Sequence, residues 1–481
     1  MKNNIKFINP DGSNKEDVKS AFIKSTNLLV DFLASANKNY VLPKNQNWDS
    51  IKFELPRNPI GEKAMEMELK TIINLSMNPA NNSYIGHMDS LPTAYSIIGS
   101  LYSSALNNNM FSLEMSPYFT RIEYAIIQQF SKLFGLPESS AGIIVSGGTL
   151  SNIQAIITAR NYFLKSNTGD ISISKKPLVF FASEHSHISI KKAAMISGLG
   201  IDSLIYVKSD ANGKMDVSDL RLKITTAIKN GQDPFAVVAT LGTTVTGNID
   251  PIQEIARICK SYSLWLHADA IYGGALILSK KEKHRLKGIE KANSIAFNPQ
   301  KWMHIAKTCS LLLYRDSKIL NRYFSMKAYY TKEQNEFVNL SEINIQGTKQ
   351  ADVLKLWLSI LSIGMSGYEE MIDNSYSITK NFVKELKQLP NIEFASEQEM
   401  NIPTFRLLGE NDEESDNLNA LFNEYAIKEH NLFFSLPTYK NKLWQRTILL
   451  NPFIDKSIIK KVSTGIKQFK KQKVITMYMK S

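Results

Sequence analysis

Short apolar runs alternate with helical patterns through the middle of the 481-residue chain. The runs occupy residues 141–145, 178–181, 203–207, 235–240, 264–267, 294–297 and 310–314. Runs of this length, separated by helices, are typical of strands in a mostly parallel sheet that is covered on both faces. The pattern therefore predicts an α/β fold.

The flanks of this region carry mainly helical patterns. Apolar residues recur at helical spacing between Glu16 and Asn37, and a second helix is predicted from Glu62 to Met77. Beyond residue 367 the pattern predicts two or three helices and short strands at 392–394, 404–407 and 447–450. The predicted division is an N-terminal helical segment over 1–83, a large domain over 84–366 and a small α+β C-terminal domain over 367–481.

Composition and charge narrow the class of protein. Two cysteines, Cys259 and Cys309, build no disulfide framework, which is typical of a reducing cytoplasm. The sequence contains no run of about 18 apolar residues, so no membrane span is predicted. No apolar block follows the first residues, so a secretory signal is not expected. The net charge of +12, with lysines crowded over 460–473, is interpreted as a solvated surface. A nucleic-acid or membrane patch is the alternative, and neither partner is expected.

Two polar residues follow the ends of the fifth and sixth predicted strands. Asp269 follows the first of these strands, and Lys301 follows the second after Asn298-Pro299. Side chains at the carboxyl ends of strands meet in the crevice where open sheets bind ligands. A lysine forms a Schiff base with a carbonyl cofactor, and an aspartate keeps a pyridine nitrogen protonated. The pair predicts an enzyme that uses pyridoxal 5'-phosphate, whereas a solvated lysine and a capping aspartate are the simpler alternative.

Three further stretches support this interpretation. The turn at 146–149, Ser-Gly-Gly-Thr, precedes a predicted helix and forms either an anion pocket or a turn that needs glycine. Hydroxyls in the loop 240–251 are candidates to bond a cofactor's phenolic oxygen, and the alternative, helix capping by Asp250 with Pro251 at the first helical position, is compatible with that role. Three roles are open for His185, His187 and His267. They could bind a metal together, one of them could stack on a pyridine ring, or each could be a hydrogen-bonded structural histidine. The order of these elements along the chain favours the cofactor.

These stretches resemble the group II pyridoxal-phosphate-dependent amino acid decarboxylases, the family of glutamate and aromatic-L-amino-acid decarboxylases. The resemblance runs from about Tyr84 to Asn451. It is carried by residues 84–88, 109–117, 146–152, 183–193, 239–250, 264–274 and 286–301. It implies a fold-type-I α/β enzyme that converts an L-amino acid into an amine and carbon dioxide, as a homodimer with active sites at the interface.

The resemblance also implies a role for each matched residue. Lys301 would carry the Schiff base, Asp269 would pair with the ring nitrogen, and His187 would stack on the ring. The further cofactor contacts would be Gly148, Thr149, Thr244 and Gln300, and the substrate contacts would be His87 and Arg446. No metal site is implied.

Three positions depart from the family pattern. Gln300 stands where the family usually has histidine, and Ile271 stands where it has a small residue. Lys349-Gln350 replaces an arginine pair. Ile271 is expected to crowd one face of the cofactor ring, and Gln300 can still donate to phosphate although it cannot titrate.

A polar stretch at 327–346 is predicted to be a mobile loop or lid ahead of a long helix from about Thr348. It contains Tyr329 and Tyr330, the candidates for the proton donor that the family supplies from the partner subunit. If neither serves, reaction with oxygen would give an aldehyde, as in aldehyde synthases.

Aromatic amino acids are the favoured substrates, with glutamate or a diamino acid as alternatives. Another fold-type-I enzyme, such as a carbon–carbon lyase or an aminotransferase, and a non-enzymatic binder of the cofactor or of a metal also remain open.

Overall fold

The computed structural model describes residues 7–43, 51, 53–330 and 338–478. The strands are β1 (Ala141–Val145), β2 (Leu178–Ser183), β3 (Leu204–Val207), β4 (Asp233–Thr240), β5 (Trp265–Asp269), β6 (Ser294–Phe297), β7 (Ser310–Tyr314), β8 (Ile392–Phe394), β9 (Phe405–Leu407), β10 (Thr438–Tyr439) and β11 (Lys442–Leu443). The helices are α1 (Lys15–Ala34), α2 (Glu62–Asn74), α3 (Ala94–Leu106), α4 (Pro117–Leu133), α5 (Gly148–Leu164), α6 (Ile188–Ile196), α7 (Val217–Lys229), α8 (Ile252–Ser261), α9 (Pro299–Trp302), α10 (Ser317–Tyr323), α11 (Val353–Leu386), α12 (Asp412–His430) and α13 (Lys456–Tyr478).

One sheet of seven strands has the order β1-β7-β6-β5-β4-β2-β3. All its neighbouring strands are parallel except β7, which is antiparallel to both β1 and β6. The predicted α/β fold with a mostly parallel sheet is confirmed, and each of the seven predicted strands is present.

Alternate residues of each strand point to opposite faces of the sheet. Both faces are buried, each against its own apolar core. In β4, Val237 and Ala239 belong to one apolar core, whereas Ala236 and Val238 belong to the other. Helices α4, α7, α8 and α11 contribute to the first core, and α5, α6 and α10 contribute to the second. This is why the strands read as nearly continuous apolar runs.

The strands β1, β2, β4, β5 and β6 run in the same direction and therefore end at the same edge of the sheet. The turn after β1, the loop after β2, the last residues of β4 and β5, and the short helix α9 after β6 meet at this edge. The segments that carry the predicted site residues therefore lie at one edge of the sheet.

Two predicted elements differ in the structure. The long helix begins at Val353 rather than near Thr348, and Lys349 before it is buried, with its Nζ 2.8 Å from Oε1 of Glu123. The prediction of a strand at 447–450 is wrong, because these residues form no strand. There, the N–H of Leu449 bonds to a carbonyl in a loop, and its carbonyl accepts from a helix side chain, so no strand ladder forms.

The chain divides into two compact units. One comprises residues 88–419 and 436–452 and contains the seven-stranded sheet. The other comprises residues 1–87, 420–435 and 453–481, and within it the side chain of Asn431 accepts from the N–H of Val41 at 2.8 Å. The division predicted at residues 83 and 366 stays a prediction. In the described ranges, no helix combines the length and the apolar character needed to cross a membrane.

Candidate active site

A cavity of about 260 Å³ lies at the carboxyl edge of the sheet. Seven of the predicted site residues line it, namely Gly148, Thr149, His187, Thr244, Asp269, Gln300 and Lys301. They come from loops, helix ends and the last residue of β5, which are far apart in the sequence, and the fold brings them together at the strand ends.

Lys301 lies in α9, directly after β6, and is half-buried. Its Nζ lies 3.4 Å from the sulfur of Met88 and 5.6 Å from the centre of the Tyr272 ring. Burial lowers the pKa of Lys301 from 10.5 to about 8, although the charge of Asp269 acts in the opposite direction. Such an amine is neutral more often than an ordinary lysine, which is what a nucleophile requires.

Asp269 is the last residue of β5 and is only 4% exposed. Its Oδ2 accepts from the side-chain amide of Asn152 at 2.9 Å, and its Oδ1 accepts from the N–H of Ile271 at 3.3 Å. A buried carboxylate is costly unless it is paired. These two bonds and the nearby amine of Lys301 stabilise the charge at this position.

The Ser-Gly-Gly-Thr turn connects β1 to α5. Gly147 is the N-cap of α5 with φ 103°, a backbone conformation that favours glycine, and no side chain caps the helix. Gln346 holds the turn, because its Oε1 accepts from the N–H of Ser146 at 2.8 Å and its Nε2 donates to Oγ of Ser146 at 3.0 Å. A helix N-terminus that opens into a cavity is a site for an anion.

His187 is the N-cap of α6 and lines the cavity. Its Nδ1 accepts from the N–H of Ser189 at 3.1 Å, and burial lowers the pKa of His187. The ring is therefore neutral at neutral pH with its proton on Nε2, since Nδ1 acts as the acceptor.

The other two histidines make separate structural contacts. Nε2 of His185 lies 3.0 Å from Oγ of Ser209. Both ring nitrogens of His267 are within 2.9 Å of hydrogen-bond partners, Ser294 and Asn152, and burial lowers the pKa of His267 to about 4. The part of the chain that the structure describes contains no group of three or more His, Cys, Asp or Glu side chains placed to hold a metal ion.

Arg446 is buried, whereas the two predicted lid tyrosines are exposed. Arg446 is 7% exposed, and its Nη1 donates to the carbonyl of Thr244 at 3.0 Å. Tyr329 and Tyr330 are 98% and 63% exposed, and the ring of Tyr330 stacks on Phe111 at 5.6 Å. Within one chain, neither Arg446 nor these tyrosines are among the residues that line the cavity. Residues 331–337 of the predicted lid lie outside the described residues.

His87 belongs to the unit that contains residues 1–87. Its ring lies 5.3 Å from that of Phe433, in the same unit. Its predicted contact with substrate stays a prediction.

Comparison with known proteins decides the family. The model for the pyridoxal-dependent decarboxylase conserved domain matches residues 54–408. The chain belongs to this family. It is 35% identical to the acidic amino acid decarboxylase GADL1 of Xenopus tropicalis over 344 residues, which are 70% of this chain and 67% of that protein. It is therefore a pyridoxal-phosphate-dependent amino acid decarboxylase, as the motifs predicted.

Solved structures agree with this family. Mouse CSAD in its apo form has a TM-score of 0.88 and 26% identity, over 94% of this chain and 99% of that chain. Oryza sativa TDC with PLP and tryptamine has a TM-score of 0.90 and 21% identity, over 97% and 99%. The second likeness supports the fold alone. The decarboxylase has the fold-type-I α/β architecture that the resemblance implied.

The cavity of the decarboxylase has the polar groups that pyridoxal phosphate needs. Oγ1 of Thr240 and Oδ1 of Asn298 are buried at the cavity and have no hydrogen-bond partner among the described residues. Buried polar atoms are rarely left unpaired in native proteins, and a polar ligand would pair them. Gly148 leaves room for Ile271 beside the cavity, because an added Cβ would lie only 2.9 Å from Cγ1 of that residue. The residues present fit the cofactor.

Sequence reasoning missed some residues of this site. Thr240 was included only as part of the loop 240–251, and Asn298 was given no role. Each occupies or directly follows the end of a predicted strand, and that position was the available signal. Asn152, which bonds Asp269, lies in a matched stretch but was given no role. Its partners come from β5 and α6, which the sequence alone does not bring next to α5.

Proposed function

We propose that this decarboxylase removes the α-carboxyl group of an L-amino acid with an acidic side chain, at the cavity around Lys301. The observation that carries the proposal is the position of Arg446. Its guanidinium is almost completely buried beside Thr244 and is close enough to Lys301 to lower the pKa of that amine. A cation held in this way favours an anionic substrate group, and the similarity to acidic amino acid decarboxylases supports the same choice.

Aromatic amino acids, which the sequence pattern favoured, are the second candidate. Met88 and Tyr272 line the cavity and give it an apolar and aromatic wall. Tyr272 is fixed by a bond from its hydroxyl to Oδ1 of Asn401 at 2.7 Å and by stacking on Trp302. Such a wall suits a planar side chain.

When bound, pyridoxal phosphate supplies an aldehyde that condenses with amines and a pyridine ring that takes up an electron pair. Lys301 would hold the aldehyde carbon through its amine. Asp269 would face the ring nitrogen and keep it protonated. His187 and Ile271, both at the cavity, would contact the ring.

The phosphate would be held at the turn before α5. Gly148 and Thr149 would present backbone amides and a hydroxyl. Oε1 of Gln300 accepts from the N–H of Cys309 at 2.6 Å, so Nε2 is the end of this amide that a phosphate would meet. Thr244 would lie near the cofactor's phenolic oxygen, and His87 would contact the substrate.

We also propose that the protein is a homodimer in the cytoplasm. Tyr330 would reach the partner subunit's cavity and return a proton to the α-carbon, which its exposure allows. Helix α3 supports the assembly, since it carries exposed apolar side chains that a partner would cover: Tyr95, Ile98, Leu101, Tyr102 and Leu106, all at least 38% exposed.

The test is a substrate panel with the purified, cofactor-loaded protein. L-Aspartate, L-glutamate, L-cysteine sulfinate, L-tyrosine and L-tryptophan are compared by carbon dioxide release and by mass spectrometry of the amine. The proposal expects kcat/KM for an acidic substrate to exceed that for an aromatic one by roughly tenfold or more, the effect of one charged hydrogen bond. A reversed order would select the aromatic candidate, and no carbon dioxide from any substrate would contradict both.

Two further measurements refine the assignment. Arg446→Met is expected to lower kcat/KM by roughly tenfold to a hundredfold, while Arg406→Met, which removes an arginine bonded to Asp412 and Asp416, serves as a control. Detection of hydrogen peroxide with an aldehyde product would indicate an aldehyde synthase.

A further inference from the structure

A chain of hydrogen bonds runs within the sheet layer behind the cavity. It begins at Trp265, whose indole N–H donates to Oγ of Ser294 at 2.9 Å. The same Oγ lies 2.8 Å from Nδ1 of His267, and Nε2 of His267 lies 2.9 Å from Oδ1 of Asn152. Trp265 is 3% exposed, and the other three side chains are 0% exposed.

Asn152 joins this chain to the cavity. Its Nδ2 donates to Oδ2 of Asp269 at 2.9 Å and to Oγ of Ser189 at 2.9 Å. Oγ of Ser189 lies 2.8 Å from Nδ1 of His187. One amide group therefore connects the carboxylate with the imidazole, and Asn152 itself is not among the residues that line the cavity.

The direction of each bond follows from the two ends of the chain. The carboxylate of Asp269 only accepts, so the Nδ2 end of Asn152 must face it and the Oδ1 end must face His267. Nε2 of His267 then carries the proton. Because His267 is buried and neutral, its Nδ1 accepts from the hydroxyl of Ser294, which itself accepts from Trp265.

The orientation of the Asn152 amide therefore depends on the tautomer of His267 as well as on the carboxylate of Asp269. If His267 carried its proton on Nδ1, its bare Nε2 would attract the Nδ2 end of Asn152. The amide oxygen would then face the carboxylate of Asp269, which is repulsive. Ser294 disfavours this arrangement when its hydroxyl, which accepts from Trp265, donates its own proton to Nδ1.

We propose that Asn152 is a positioning residue that supports the charge of Asp269, and that Ser294 acts through His267 to keep the Asn152 amide in its donating orientation. The inference rests on the proposed role of Asp269 beside the ring nitrogen. It predicts that variants outside the cavity weaken the interaction with that nitrogen selectively, because they act on the carboxylate and leave the phosphate turn and Lys301 in place.

The test compares two ligands in protein stripped of cofactor: pyridoxal phosphate and an analogue with carbon in place of the ring nitrogen. The ratio of their dissociation constants measures the interaction with the nitrogen. The wild type is expected to prefer pyridoxal phosphate. Asn152→Ala should reduce this preference roughly tenfold to a hundredfold, the range for a hydrogen bond to a charged group. Affinity for the carbon analogue should change little.

Ser294 provides the sharper pair of variants. Ser294→Ala removes the hydroxyl and is expected to reduce the preference, whereas Ser294→Thr keeps a hydroxyl and is expected to restore it. Asn161→Ala is the matched control, because Asn161 is a 4% exposed asparagine in the last turn of α5 that donates to the carbonyl of Tyr323. It should leave the ratio unchanged. If Asn152→Ala fails to fold, the nearly isosteric Asn152→Leu should also reduce the preference, since its side chain cannot donate.

The possible outcomes distinguish a failure of the positioning role of Asn152 from a failure of the proposed role of Asp269. Loss of affinity for both ligands in equal measure, or an unchanged ratio in the variants of Asn152 and Ser294, would overturn the inference. Asp269→Asn tests the proposed role directly. If it leaves the preference intact, the pairing with the ring nitrogen is wrong. If it abolishes the preference while Asn152→Ala does not, only the positioning role fails.

Discussion

The side chain of Ile271 fills the space that a side chain at Gly148 would need. A Cβ added to Gly148 would lie 2.9 Å from Cγ1 of Ile271 and closer still to its Cδ1. Both residues line the cavity. The large residue two positions after Asp269 is therefore accommodated by the glycine at the start of α5, and the two positions form a complementary pair.

This pair predicts that a second substitution compensates for the first. Gly148→Ala should weaken pyridoxal phosphate binding and lower the Tm, because overpacking costs about 1–3 kcal/mol. Adding Ile271→Ala should recover part of the loss, since a shorter side chain leaves room for the new methyl group. The measurements are equilibrium dialysis of the cofactor and thermal denaturation.

Gly61→Ala is the control for this double mutant, because a Cβ at Gly61 meets no atom within 4 Å. Strictly additive losses in Gly148→Ala and Ile271→Ala would contradict the complementarity of the pair.

The lowered pKa of Lys301 predicts a pH dependence of cofactor attachment. Only the neutral amine attacks an aldehyde, so the rate of attachment to stripped protein should rise with pH and level off above about 8. At pH 7, roughly a tenth of the Lys301 amines would be neutral, from the pKa difference of one unit. Stopped-flow absorbance measures the rate.

The charged neighbours of Lys301 define the control for this profile. Asp269 and Asp89 raise its pKa, whereas Arg446 and Lys307 lower it. Arg446→Met should therefore move the midpoint upwards. A rate that continues to rise through about 10, as for a lysine with the ordinary pKa of 10.5, would contradict the burial of this amine.

The exposed position of Tyr330 predicts complementation between subunits. Lys301→Ala and Tyr330→Phe should each be inactive as decarboxylases. If the tyrosine serves the partner's cavity, dimers mixed from the two variants regain one intact site, or about a quarter of wild-type activity after random exchange. Tyr329→Phe, which alters the neighbouring tyrosine, should retain activity. Mixed samples without any recovered activity would place the proton donor elsewhere.

The sequence was most informative where local pattern and tertiary structure agree. Continuous apolar runs predicted the seven strands, because both faces of this sheet are buried. The positions of Asp269 and Lys301 just beyond strand ends were enough to predict that they meet, since parallel strands end at one edge. The turn before α5 was predicted from its two glycines between a strand and a helix.

Other features depend on contacts between distant segments. The segment 447–450 has the composition of a strand, but its backbone groups bond to Asn401 and Ser375. The start of α11 is delayed past Lys349, whose amine is paired with Glu123 in the core. The role of Asn152 follows only from its partners in two other elements, β5 and α6. No periodicity within one segment encodes such contacts.

The attachment of the cofactor to Lys301 is the central claim, and reductive trapping tests it most directly. Borohydride reduction of the loaded protein, followed by proteolysis and mass spectrometry, should locate one pyridoxyl group on the peptide that contains Lys301. Lys301→Ala should lose this adduct. A pyridoxyl group on Lys307 or on any other lysine, retained in Lys301→Ala, would contradict the account.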